Sequence, residues 1–376
     1  MVRQTPKVYK RLGVKPIIHA AGTTTLYSGT RMPPEVLRAM EEASRVFVHM
    51  GELNRKASDA IARLTGAEAG MVTSGSAAGL VLQAAACIAG TDPARIRHLP
   101  DSTGMRNEII IHRAHRIQYD QAYTIGGGRL VEIGNTRTSQ AWELEVAISE
   151  RTAAVAYIVT PLTSRRILTL EQVVEISHRY NLPVIVDAAS TLPPRENLYR
   201  YTRAGADMVI YSGGKGIRGP QSTGLLVGRK HLIEAALANA SPNASVGRPM
   251  KVSKEEIIGL LTALEMFVKG DEEAEMTQWR VQMQRMADTL SDIKGIRATV
   301  ELDDYDHWIP HAVIQFDNSW KGPRGQQVMQ MLAEGNPPIY LYPVTWGDEV
   351  IVDPFNLSDE EVELVARRLR EVLEPT

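Results

Sequence analysis

Cysteine is almost absent, with Cys87 standing alone in 376 residues. One thiol excludes an intramolecular disulfide and a metal site built on cysteines. Its neighbours, Leu80-Val81-Leu82-Gln83-Ala84-Ala85-Ala86, mark it as a small core residue. No apolar run reaches membrane-spanning length. Met1-Val2-Arg3-Gln4-Thr5-Pro6-Lys7 lacks the apolar centre of a secretory signal, so the expected location is cytoplasmic. Excess charge is missing as well: 42 Lys and Arg face 44 Asp and Glu. That balance gives no general surface for nucleic acid or membrane.

What is present reads as two domains, because the chain is longer than one core usually holds. Residues 1–32 read as an irregular segment whose Gly, Thr and Ser place polar groups at a site. From 33 to 245, short strands rich in Val and Ile alternate with helices. The strands are Ala69–Thr73, Glu108–His112, Leu130–Ile133, Ala153–Val159, Pro183–Asp187, Asp207–Tyr211 and Thr223–Val227. They lack polar alternation, as strands do when helices cover both faces of a mostly parallel sheet. The first helices are expected after Pro33-Pro34, with Val36, Leu37, Met40, Ala43 and Phe47 on one face, and over Asn54–Leu64. Thr169-Leu170-Glu171-Gln172 and Ser253-Lys254-Glu255-Glu256 have the form of capping boxes. Residues 246–376 read as a smaller α+β domain that begins with two long helices.

Three stretches carry chemistry. Tyr211-Ser212-Gly213-Gly214-Lys215-Gly216-Ile217-Arg218-Gly219-Pro220-Gln221 follows a buried strand. Glycine weakens ordered backbone, and a lysine held near the interior tends to lose its proton. The pattern suits a lysine that must reach a carbonyl compound, and pyridoxal 5′-phosphate carried on Lys215 as a Schiff base is the expected case. A nucleotide-binding P-loop is excluded, because Gly216 follows the lysine and Val209 stands where its first glycine belongs. The second stretch, Thr73-Ser74-Gly75-Ser76-Ala77-Ala78-Gly79, opens a helix, and a helix N-terminus receives phosphate. Read without a ligand, it is a turn capped by Ser76. The third is Asp187, which ends Val184-Ile185-Val186, where open α/β sheets place ligands. It would hold the cofactor's ring nitrogen, and its plainer reading is a loop cap. Ser212 is expected on the phosphate. His115 is expected to stack on the ring, in preference to His112, which continues its strand.

The order of cradle, Asp187 and Lys215 matches the aspartate-aminotransferase superfamily, pyridoxal-phosphate fold type I. Within it, Ser212-Gly213-Gly214-Lys215-Gly216-Ile217-Arg218-Gly219-Pro220-Gln221 resembles the lysine motif of the selenocysteine synthase-like / D-glucosaminate-6-phosphate ammonia-lyase family. Val186-Asp187-Ala188-Ala189 with Leu192-Pro193-Pro194 and Gly247-Arg248-Pro249-Met250-Lys251-Val252 are similar to further motifs of that family. The resemblance weakens after about residue 295. It implies a homodimer or larger homo-oligomer with shared active sites. It also implies Lys215 as tether and α-proton base, and a lyase that acts by α,β-elimination on a small or hydroxylated amino acid. A racemase or epimerase is the alternative, with Tyr27, His49 or Tyr211 as its second acid. A selenium transferase acting on tRNA is disfavoured by the balanced charge and by the lack of a separate N-terminal module. Asp353-Pro354-Phe355-Asn356-Leu357 lacks the arginine of the family's Asp-x-Arg-Thr-Leu-like segment, and His19 stands in place of an asparagine. The substrate carboxylate is therefore expected on Arg31, Arg165, Arg166 or Arg218.

Overall fold

The computed structural model describes residues 5–159, 166–302, 308–342 and 348–374. Two compact units are formed, Met32–Gly270 and a smaller one from Met1–Arg31 with Asp271–Thr376. Residues 246–270 group with the larger unit, although the sequence places them in the C-terminal domain. The reason is packing: helix Lys254–Lys269 buries Ile257, Leu260, Ala263 and Leu264 in the same core as Val36 and Ile61.

Residues 1–32 are not wholly irregular. They carry a helix, Lys7–Leu12, and a strand, β1 (Ile18–Ala20). The larger unit then supplies β2 (Ala69–Thr73), β3 (Glu108–His112), β4 (Arg129–Ile133), β5 (Thr152–Ile158), β6 (Val184–Asp187), β7 (Met208–Ser212) and β8 (Gly224–Gly228). They form one sheet in the order β2-β8-β7-β6-β5-β3-β4. Pairings from β7 through to β4 are parallel, and β8 runs antiparallel to both β2 and β7.

Successive residues of a strand point to opposite faces. Val186 and Val209 therefore face one core, with Val36, Ile61, Val173 and Leu260 from helices. Ile185 and Ile210 face the other, against Leu80, Ala84 and Tyr123. Covering both faces explains the unbroken apolar strands. Only the edge strand β4 is mostly open, and it carries Arg129 and Glu132 on exposed positions, a charged edge that discourages further pairing.

Both capping boxes form. The Thr169 hydroxyl accepts from Gln172 N–H at 3.3 Å, and Ser253 accepts from Glu256 N–H at 3.1 Å. Two members of the expected inner face fail: Leu37 is exposed, and helix Pro34–Ser44 stops before Phe47, which is fully exposed.

In the smaller unit, β9 (Ile296–Glu301) and β10 (His311–Phe316) form an antiparallel sheet with β12 (Val350–Val352), while β11 (Ile339–Leu341) pairs in parallel with β1. Helices Glu272–Leu290, Gly325–Ala333 and Asp359–Leu373 bury Met286, Leu332 and Leu369 against these strands. Among the described residues, no helix is long and apolar enough to cross a membrane.

Candidate active site

The parallel strands of the larger unit end on one edge of the sheet, and four of the expected features lie there. Ser74 follows β2 and is the N-cap of helix Gly75–Ala89. This corrects the cap read at Ser76. The Ser74 side chain makes no capping bond, so the first-turn N–H groups are not satisfied by it. Gly75 has φ +78°, a conformation that suits glycine and turns the chain directly into the helix. Ser74, Gly75 and Ser76 are all half-buried.

Asp187 is the last residue of β6 and is buried. Its Oδ1 accepts from Ala189 N–H at 3.0 Å, which closes a tight turn. Burial pushes its pKa up, while the Ala189 N–H and the charge of Lys215 pull it down. A carboxyl in this position stays ionised best when a cation sits beside it.

Lys215 lies in the turn after β7. Burial lowers its pKa below the ordinary lysine value, and Asp187 partly opposes that. Its Nζ lies 2.5 Å from Ser190 Oγ, in the turn that follows Asp187. The two turns are in direct backbone contact: a Cβ on Gly216 would stand 2.2 Å from the Leu192 carbonyl oxygen. The glycine beside the lysine is therefore a packing requirement, and it brings the lysine turn against the aspartate turn. Arg218, half-buried with φ +59°, closes the lysine turn, its N–H donating to Lys215 O at 2.9 Å. Ser212 ends β7 and is buried.

His115 sits in the short turn after β3. Its ring is fully buried, with edge-to-face contacts to Tyr157 at 4.6 Å and His112 at 4.8 Å. Nδ1 accepts from Ile158 N–H at 3.4 Å, and Ile158 is the register partner of Asp187. Burial first, then His112, lowers the His115 pKa to about 3, so the ring is neutral. Burial also lowers His112, to about 4.

The other expectations scatter. Arg31 belongs to the smaller unit and makes a two-point ion pair with Glu361, at 3.0 and 2.6 Å. Arg165 lies outside the described residues, and Arg166 is exposed. Tyr211 is no candidate acid, since it is fully buried and its hydroxyl donates to the carbonyls of Asn197 and Leu198. His49 is spent on capping helix Met50–Thr65, where it accepts from Glu52 N–H. Tyr27 packs on Tyr340 in the smaller unit, ring centroids 4.4 Å apart. Phe355, which stands where the resemblance led an arginine to be expected, is buried against Trp279. Ser190 is a site residue outside the expected set, and its signal is a hydroxyl three residues after Asp187 in the same tight turn.

A mostly parallel sheet with a lysine turn, a buried strand-end aspartate and a helix N-terminus on one edge defines an enzyme of pyridoxal-phosphate fold type I. Residues 36–302 match the family described as L-seryl-tRNA selenium transferase, SelA, and the chain belongs to that family. Its members depend on pyridoxal phosphate. D-glucosaminate-6-phosphate ammonia lyase of Salmonella typhimurium is 35% identical over 98% of this chain and 99% of that protein. A solved structure of D-glucosaminate-6-phosphate ammonia-lyase superposes with TM-score 0.86 at 34% identity, over 98% of this chain and 99% of the other. A 5′-C-glycyluridine monooxygenase-decarboxylase of a Streptomyces species is also 35% identical, over 97% of this chain and 92% of that protein. A cysteine desulfurase of Escherichia coli, with TM-score 0.55, 17% identity and coverage of 91% and 92%, shares the fold alone.

Proposed function

We propose that the chain binds pyridoxal 5′-phosphate on Lys215 and removes the α-proton of an amino acid, in the service of an α,β-elimination that releases ammonia. The convergence of Lys215, Asp187 and the N-terminus of helix Gly75–Ala89 on one sheet edge carries this reading. The residues suit the group chemically. The uncapped helix start offers N–H donors to a phosphate, together with Ser74, Ser76 and Ser212. Asp187 offers a buried carboxylate to a ring nitrogen, and His115 is assigned to the ring face. When bound, the cofactor supplies an electron-withdrawing ring that stabilises negative charge at the α carbon. The chain supplies the base. A desolvated Lys215 is more readily neutral than a surface lysine and can accept a proton.

Arg218 is proposed as the substrate-carboxylate donor, because it stands in the lysine's own turn. Arg31 is occupied by Glu361. A homo-oligomer with shared sites fits the exposed apolar run Val46-Phe47-Val48. Near-neutral charge keeps a tRNA substrate out of the first reading.

Two full-length relatives of equal identity bear names of different reactions. The second favours loss of the α-carboxylate as carbon dioxide with uptake of oxygen. One screen separates the outcomes: D- and L-amino acids, free and phosphorylated, incubated with holoenzyme in deuterated water. Release of ammonia and a keto acid is expected. Oxygen-dependent carbon dioxide release would replace the lyase reading with the oxidative one. Inverted, α-deuterated amino acid without ammonia would replace it with racemisation.

A further inference from the structure

Ser190 has no part in the proposed chemistry, yet its hydroxyl meets the Lys215 amine at 2.5 Å. That contact is set by the backbone on both sides. On one side, Asp187 begins a turn closed by Ala189 N–H on its Oδ1 at 3.0 Å. Thr191 fastens the same turn, its N–H and Oγ both bonding the Ala188 carbonyl, at 3.2 and 3.0 Å. Asn197 Nδ2 then holds the Thr191 carbonyl at 2.8 Å. On the other side, Gly213 N–H bonds Thr223 O and Gly219 N–H bonds Gly213 O, each at 2.8 Å. The two turns meet where Gly216 lies against Leu192. Ser190 and Lys215 thus face one another across two fixed pieces of chain.

We propose that Ser190 is a positioning residue that holds the Lys215 amine toward the aspartate turn and hydrogen-bonds it in both protonation states. The proposal rests on Lys215 being the cofactor-bearing base. The chemistry is specific to a hydroxyl. It accepts from the ammonium form through its lone pairs and donates to the free amine through its proton. A lysine that alternates between the two forms then keeps one partner and one direction throughout. A bond to the charged form is the stronger of the two, so the serine also raises the amine's affinity for a proton. Asp187, from β6, is the charged group that acts on Lys215 among the described residues, and it works in the same sense. Ser190 is exposed, so removing its hydroxyl leaves no cavity in a core.

The test uses the full-length protein, loaded with pyridoxal phosphate and stripped of it. In stripped protein, acetylation of Lys215 by acetic anhydride is followed against pH by mass spectrometry. Ser190→Ala is expected to shift the midpoint down by about half to one pH unit. The rate at which added pyridoxal phosphate becomes attached should fall about three- to tenfold at a fixed neutral pH, because the amine is no longer aimed. Ser190→Thr, which keeps the hydroxyl, should return most of both effects. An acetylation curve that overlies the wild type, or no rescue by threonine, overturns the proposal. Failure of the underlying reading has a separate signature: Lys215→Ala protein that still attaches the cofactor covalently at full stoichiometry.

Discussion

Lys215→Ala is expected to yield a folded protein that no longer fixes pyridoxal phosphate covalently, with turnover lower by at least about a thousandfold. The fold should survive because the side chain contributes little to it. The turn is held by backbone bonds, Gly213 to Thr223 and Arg218 to Lys215 O, which alanine retains. The substitution also removes an amine that burial disfavours in its charged form. Borohydride reduction followed by intact mass checks the result. Wild type should gain the mass of one cofactor per chain, and the variant none. A variant that gains the same mass would place the tether on another lysine.

Asp187→Asn should separate activity from stability. Activity is expected to fall by about a thousandfold, because the amide does not hold a proton on the ring nitrogen. The cofactor-free protein should melt at a higher temperature near neutral pH. The sign follows from burial. Asp187 has its folded pKa raised, so its ionisation opposes folding. That opposition is full above the raised value. It disappears as pH falls below the ordinary carboxylate range. The melting difference between variant and wild type should therefore shrink as the buffer is acidified. Equal melting temperatures at neutral pH would remove the argument that function maintains a costly buried carboxylate here.

Much of this fold is legible in the residues. Unalternated strands such as Val184-Ile185-Val186 are apolar because both faces are covered, and the two capping boxes at Thr169 and Ser253 depend on neighbours within one turn. Asp187 and Lys215 are readable because one ends a strand and the other follows a strand closely, each in a setting that costs stability. Phe47 is not readable. Its spacing fits the helix, but the helix ends at Ser44 and the ring is left outside. Strand β1 has its partner β11 over three hundred residues away, so no local pattern shows it. The Ser190–Lys215 contact is hidden for the same reason, since it exists only where two separate turns meet. Arg31 looked like a substrate ligand because its ion-pair partner, Glu361, is equally remote.

The position of β2 has a consequence for how the protein is made. Its one neighbour in the sheet is β8, and their registers join Ala69 to Gly228 and Thr73 to Gly224. The helix start that follows β2 cannot be docked beside the lysine turn until residue 228 has left the ribosome. A nascent chain that ends between Ser212 and Gly228 holds every residue of the proposed phosphate cradle but not the cradle itself. Acquisition of cofactor then reports closure of the sheet, and chains stalled upstream of β8 would emerge unable to capture it.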